Sequence, residues 1–213
     1  MAEFTLYGYF RSSASYRVRI AMNLKNLKYE YKAVHLINNG GEQHNQEYKK
    51  LNPSEQVPTL VHNGKALGQS MAIIQYLDEV APETPLFPAE PFEKARVIQF
   101  CEIINSGVQP LHNLAVIDEL ARRGVDDKDW VIQVISKGLA TLESFLKETA
   151  GTYCFGGKLT AADAFLVPQV FAARRFNTPT ESYPTVMRVF ENCSKLEAFQ
   201  KAEPARQPDA PKT

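Results

Sequence analysis

The sequence predicts a two-part α+β chain: a mixed sheet with helices on it, followed by an all-helical part. Three observations carry this. Before residue 81, short runs with period-two apolar alternation are interleaved with runs at helical spacing. The stretch Ala81–Pro91 (APETPLFPAEP) then holds Pro82, Pro85, Pro88 and Pro91, a density that no continuous helix or central strand tolerates. Beyond it nearly every apolar residue falls on a helical period. The predicted division is residues 1–81, a linker at 82–91, and a helical part at 92–213.

Phe4–Tyr9 alternates and reads as a strand. Ser15–Lys25 changes to helical spacing, with Val18, Ala21 and Met22 on one side and Ile20 and Leu24 beside them. Tyr29–Leu36 is again strand-like, and a poorly defined stretch follows. Thr59–Val61 and Lys65–Leu67 flank His62-Asn63-Gly64, and Asn-Gly between apolar runs is the strongest short hairpin signal. A helix with Met71, Ile74 and Leu77 at spacing three comes next, capped by Ser70. In the second part Val97, Cys101, Ile104 and Val108 form one stripe. Val131, Val134, Ile135, Leu139, Leu142 and Leu146 form another. Thr160-Ala-Ala-Asp163 reads as a capping box with Asp in the place usually held by Glu or Gln. The tail Pro204–Thr213 is polar and proline-rich and is expected to be irregular.

Composition excludes more than it identifies. Lys and Arg together number 24, as do Asp and Glu, so formal net charge is zero across 213 residues. A polyanion partner demands a basic excess, which is absent, so no nucleic-acid role is expected. No apolar run reaches the length that spans a bilayer, and the start lacks a secretory layout. The three cysteines and four histidines show no metal-ligand spacing; no metal is expected, and the cysteine usage points to a reducing, cytoplasmic setting. Cys101, on an apolar stripe, reads as a small hydrophobe.

Three segments could carry chemistry. Arg11-Ser12-Ser13-Ala14-Ser15-Tyr16-Arg17 places three hydroxyls and two guanidinium groups where a strand gives way to a helix N-terminus. Such a place favours an anion and shifts a thiol toward thiolate, although plain capping by Ser12, Ser13 or Ser15 accounts for it equally well. Gln56-Val57-Pro58-Thr59 opens a strand with proline; a cis bond there would leave the Val57 backbone able to pair with an extended peptide, while an ordinary strand-start proline is the simpler account. Gln69-Ser70, just outside a helix, presents groups suited to a carboxylate, and alone is weak.

Together these pieces resemble the glutathione transferases, and within them the zeta class, the maleylacetoacetate isomerases. The class signature runs approximately S-S-C-S-W-R-V-R-I-A and stands here as Ser12–Ala21, SSASYRVRIA. Further matching stretches are LNPSEQVPTL (51–60), QSMAIIQYLDE (69–79), SGVQPLHNL (106–114), LTAADAFLVPQV (159–170), RRFN (174–177) and RQPDAP (206–211), so the resemblance covers essentially the whole chain. It implies a thioredoxin-like first domain, an all-helical second domain, glutathione as cofactor and a small diacid as substrate. It also implies a homodimer. Ser12, Ser13, Ala14, Ser15, Tyr16 and Arg17 are implied to surround the thiol, with Ser12, Ser13 and Arg17 catalytic. Gln43, Val57 and Pro58 are implied to hold the tripeptide backbone, and Gln69 and Ser70 the γ-glutamyl carboxylate. Gln109, Asn113, Leu114 and Ala115 match further contacts. Arg11 and Arg175 are implied substrate contacts, Arg175 matching an arginine that receives a carboxylate.

The implied chemistry is reversible thiolate addition to an activated cis alkene, rotation, and elimination to the trans isomer. Glutathione is regenerated. Two positions depart from the signature: Ala14 replaces its cysteine and Tyr16 its tryptophan. Neither removes Ser12, so glutathione binding and isomerisation are expected to survive. The rivals are isomerisation of maleylpyruvate, conjugation of α-halo acids, and a non-catalytic glutathione-binding or dimerisation module.

Overall fold

The computed structural model describes residues 3–211. Two compact units emerge: Met1–Pro85 together with Glu197–Thr213, and Leu86–Leu196.

The first unit contains β1 (Phe4–Gly8), α1 (Ser13–Leu24), β2 (Tyr29–Ala33), α2 (Gln46–Leu51), β3 (Thr59–His62), β4 (Lys65–Gly68) and α3 (Ser70–Val80). Strand order is β2-β1-β3-β4, with β1 parallel to β2 and antiparallel to β3, and β3 antiparallel to β4. This is the mixed sheet expected of a thioredoxin-like domain. Alternation in β1 buries Phe4, Leu6 and Gly8, as the period-two pattern requires. The β3–β4 turn is local chemistry: Asn63 (φ 50) and Gly64 (φ 74) both occupy the left-handed region that a tight hairpin needs.

Two features of this unit differ from the sequence expectation. First, α1 is buried on all sides from Ser15 through Met22, Arg17 and Arg19 included, where one apolar face was expected. The reason lies in the tail. A short helix, α9 (Glu197–Ala202), packs on α1, and Asn23 donates to the Ala198 carbonyl at 2.8 Å. Residues 197–211 thus complete the first unit instead of ending the helical part at 92–213. Nor is the tail irregular throughout. Pro204–Arg206 forms a 3₁₀ turn, and Gln207 donates to the Lys201 and Glu203 carbonyls, both at 2.9 Å. The tail residues 212 and 213 lie outside the described residues. Second, Ser70 is the first residue of α3 and Gln69 is its N-cap.

Lys25 follows α1 and is buried. Its ammonium meets the Asp78 carboxylate at 2.7 Å and the Ala81 and Thr84 carbonyls at 2.8 Å, which ties the end of α3 and the start of the proline-rich stretch to α1. All three of its hydrogens are used, which is what allows a buried ammonium.

The second unit is helical: α4 (Pro91–Asn105), α5 (Leu114–Arg122), α6 (Asp127–Thr149), α7 (Ala161–Arg175) and α8 (Pro184–Ser194). Pro91 opens α4 at the position where a missing N–H is harmless, and Glu90 caps it by accepting from Glu93 N–H at 2.7 Å. α7 packs on α4 and α8, and α6 on the same two. Both sequence stripes lie in this core: Val97, Cys101, Ile104, Val131, Ile135, Leu139, Leu142 and Leu146 are essentially inaccessible, while Val134 is half-buried. Each such residue contributes about 1.5–3 kcal/mol by leaving water. Among the described residues no helix is long and apolar enough to cross a membrane.

Candidate active site

The site begins where β1 ends. Gly8 fits closely there: a Cβ would stand 3.1 Å from the Tyr31 ring and 3.2 Å from Ser15 Oγ, so those side chains would have to give way by a few tenths of an ångström. The chain then turns through Tyr9–Ser12 into α1. Ser12 has extended φ/ψ (−70, 119) and its Oγ accepts from Ser15 N–H at 3.1 Å. The capping account of Ser12 is therefore correct, and it is compatible with chemistry. The oxygen serves the helix, while the hydroxyl proton has no acceptor among the described residues and can be donated to an anion. Ser13 and Ala14 open the helix and are half-buried.

Ser15 and Tyr16 face inward. Ser15 Oγ accepts from Tyr9 N–H at 3.4 Å, and Tyr16 packs against the Arg19 guanidinium, 5.4 Å from its ring centroid. Burial pushes the Tyr16 phenol well above its usual range, with Glu203 adding to the effect and Arg19 opposing it. Neither side chain faces solvent, so neither is placed to touch a ligand from the surface. Arg17 is buried too. Its Nη1 donates to Ser70 Oγ at 3.2 Å, which joins the α1 segment to the start of α3. This link spans 53 residues of sequence and sets the Ser70 hydroxyl.

At α3, Gln69 holds φ 67, ψ 115, a conformation that non-glycine residues seldom adopt and that clusters at ligand sites. Its Nε2 lies 3.5 Å from Gln56 Oε1. The Val57–Pro58 bond is cis. Val57 is buried, and among the described residues its N–H and C=O make no hydrogen bond. This buried backbone pair two residues before β3 therefore stands out, since buried backbone groups are nearly always paired.

A brace that sequence reading missed holds this edge. Tyr48 O–H donates to the Gln56 carbonyl at 2.6 Å and shares a hydrogen bond with Thr59 Oγ1 at 2.9 Å. Asn52 Nδ2 reaches the same two oxygens, each at 2.9 Å, and Asn52 Oδ1 accepts from Ser54 N–H at 3.1 Å. Burial raises the Tyr48 pKa, and the bonds to Thr59 and Asn52 counter it. The signal available was a buried-type Asn inside LNPSEQVP, which pattern reading treats as a turn residue. Asn52→Ala is expected to raise the glutathione KM several-fold and lower stability by about 1–3 kcal/mol, read by initial rates and urea unfolding. An unchanged KM in a folded variant would refute the brace.

Gln43, half-buried, lies within hydrogen-bond distance of His44 Nε2 at 3.0 Å. Arg11 stacks near Tyr9 and Phe10, 5.9 and 5.8 Å from their ring centroids. In the second unit, Gln109 opens a 3₁₀ turn, Asn113 caps α5 by accepting from Val116 N–H at 3.2 Å, and Leu114 and Ala115 are exposed. Arg175 ends α7, exposed, with its guanidinium 4.3 Å from the Phe176 ring centroid. Among the described residues no group of three or more His, Cys, Asp or Glu could hold a metal.

Cys101, Cys154 and Cys193 are buried and form no disulfide, and burial pushes the Cys154 and Cys193 thiols far up. With Ala14 in the signature, no reactive thiol flanks Ser12. Treatment with an alkylating substrate analogue is expected to leave residues 11–17 unmodified and activity intact, read by mass mapping. Activity loss tracking a modified residue in that segment would refute this.

The Ser12 hydroxyl, the cis Val57–Pro58 bond and the strained Gln69 fall in the three segments that the sequence resemblance assigns to glutathione. The model for the glutathione S-transferase N-terminal domain matches residues 2–79 and that for the C-terminal domain residues 114–192. A probable maleylacetoacetate isomerase 2 of Drosophila melanogaster is 45% identical over 206 residues, 97% of this chain and 90% of the relative. The structure of a bacterial zeta-class maleylpyruvate isomerase is 38% identical, with a TM-score of 0.93 over 97% of this chain and 100% of that one. A maleylacetoacetate isomerase of Anaeromyxobacter dehalogenans with bound glutathione is 43% identical, with a TM-score of 0.89 over 99% of this chain and 100% of that one. The chain belongs to the glutathione transferase family, in its zeta class.

Proposed function

We propose that this protein is a glutathione-dependent cis–trans isomerase that converts maleylacetoacetate to fumarylacetoacetate in tyrosine and phenylalanine breakdown, with glutathione transferase activity. The observation that carries the reading is Ser12: its oxygen is occupied by the helix cap while its proton remains available to an anion. The Val57 backbone pair, with Pro58 next to it, suits the tripeptide, and Gln43 is a further contact of this reading. When bound, glutathione supplies a thiolate nucleophile whose reversible addition frees the former double bond to rotate.

The chain's own groups do the rest. Ser12 donates to the thiolate, and the first amides of α1, with Ser13, favour negative charge beside it. Arg17 holds Ser70, and Ser70 with Gln69 takes the γ-glutamyl carboxylate at the N-terminus of α3. Gln109 and the segment Asn113–Ala115 add contacts. Arg11 and Arg175 offer guanidinium groups to the substrate carboxylates, Arg175 in a fork that lysine cannot copy. Residues 1–85 with the tail form the glutathione-binding part, and the protein acts in the cytoplasm as a homodimer.

The neighbour that acts on maleylpyruvate favours a second reading, isomerisation of that shorter diacid. Assay of both substrates with and without glutathione decides. Glutathione-dependent turnover of maleylacetoacetate above maleylpyruvate is expected. The reverse order selects the second reading; conjugation of an α-halo acid alone, or retention on immobilised glutathione with no turnover, overturns both.

A further inference from the structure

The turn that presents Ser12 has no partner strand, and side chains satisfy most of its backbone groups. Tyr9 N–H donates to Ser15 Oγ at 3.4 Å. The Tyr9 carbonyl accepts from Ser12 N–H at 3.0 Å and Arg19 Nη1 at 3.4 Å, and the Phe10 carbonyl from Arg19 Nη2 at 3.0 Å. All of these come from α1 or from the turn itself. Phe10 N–H is different. It donates to Asp209 Oδ2 at 2.8 Å, across 199 residues of sequence.

Asp209 is built for that contact. Tyr31 O–H donates to the same oxygen at 3.3 Å, which joins β2 to the tail. The other oxygen, Oδ1, is enclosed and without a hydrogen-bond partner among the described residues, so the carboxylate is not simply a solvated surface acid. Its charge also acts on the fully buried Arg19, whose Nε donates to the Ala202 carbonyl at 3.0 Å. The tail is itself fixed by the Gln207 bonds to 201 and 203 and by Ala210 N–H to the Gln207 carbonyl at 3.0 Å. An arm held by its own hydrogen bonds therefore ends on the Phe10 amide, two residues before Ser12, and supplies that amide's acceptor.

We propose that Asp209 is a positioning residue for Ser12: by accepting the Phe10 N–H it fixes the turn from which the Ser12 hydroxyl is presented to the thiol, without touching glutathione or substrate. This rests on the role proposed for Ser12. A misplacement of about 1 Å at a reacting group is enough to lower rates by up to about a hundredfold.

The test measures kcat and the pH at which enzyme-bound glutathione shows thiolate absorbance, for Asp209→Ala, Asp209→Asn, Ser12→Ala and the Ser12→Ala/Asp209→Ala pair. Asp209→Ala is expected to lower kcat about tenfold or more and move the thiolate titration to higher pH. Asp209→Asn, whose amide oxygen can accept the same N–H, restores most of both. The double variant is expected to be no worse than Ser12→Ala, because both changes act on one hydroxyl. A folded Asp209→Ala with an unmoved titration overturns the proposal, as does an Asp209→Asn as impaired as Asp209→Ala, or a loss that multiplies on the Ser12→Ala background. If Ser12→Ala itself leaves the titration unmoved, the Ser12 role fails and takes this proposal with it, a distinct result. Should Asp209→Ala not fold, Asp209→Glu against Asp209→Asn makes the same comparison. The longer acid displaces the turn and shifts the titration while the isosteric amide does not; equal titrations for the two would overturn the proposal.

Discussion

Replacing Ser12 by alanine is expected to lower isomerisation kcat by about a hundredfold to a thousandfold, as removal of a donor aimed at developing charge does elsewhere. The same change removes the cap on Ser15 N–H, which costs about 1 kcal/mol of stability. Ser12→Gly separates the two effects, because glycine at a cap lowers helix stability by only about a few tenths of a kcal/mol. Equal kinetic losses in both variants assign the effect to the hydroxyl. The acid limb of the pH–rate profile gives a second check. With the donor gone, the thiolate is less favoured, so the limb moves to higher pH and the deficit is largest at low pH. Turnover within about twofold of wild type in either variant would falsify the Ser12 role.

The largest stability effect is expected at Asp163, in the second unit. This side chain is fully buried and accepts from Thr160 N–H at 2.8 Å, Thr160 O–H at 3.2 Å and Cys154 N–H at 2.8 Å, with Cys193 Sγ 3.7 Å away. It therefore fastens the loop at 154 to the start of α7, the helix against which α4 and α8 pack. Asp163→Ala strands these buried donors at once and is expected to lower unfolding free energy by about 3–5 kcal/mol. Asp163→Asn keeps one acceptor oxygen and loses less. Urea unfolding followed by circular dichroism measures both, and a loss below about 1 kcal/mol for alanine would show that water or a shifted loop satisfies those donors.

What sequence reading captured is what short spacing encodes. Asn63-Gly64 specifies its own turn, the prolines between 82 and 91 end α3 and open α4, and Leu139, Leu142 and Leu146 share one buried face whatever lies opposite. Ser12 as a cap was legible for the same reason, since the amide it serves is three residues away. The six residues of α2 carry only Tyr48 and Leu51 as apolar positions, too few for a period to show. Contacts over long separations left no local trace: Arg17 to Ser70, Arg19 to Ala202, Phe10 to Asp209. Arg19 was the more deceptive because a charge inside an amphipathic run reads as the wet face. It is buried here because its donors meet the carbonyls of Tyr9, Phe10 and Ala202.

That the tail completes the first unit bears on how the chain is made. A ribosome releases residues 1–85 early, yet α1 lacks the cover of α9 and the turn at Phe10 lacks its acceptor until everything through residue 209 has emerged. The first unit synthesised is thus the last to be finished. Until then the part of α1 that α9 covers is exposed and Arg19 lacks its Ala202 acceptor, while the intervening helical unit, residues 86–196, is free to fold. Closing a loop across nearly the whole chain makes this late docking step slow relative to local helix formation.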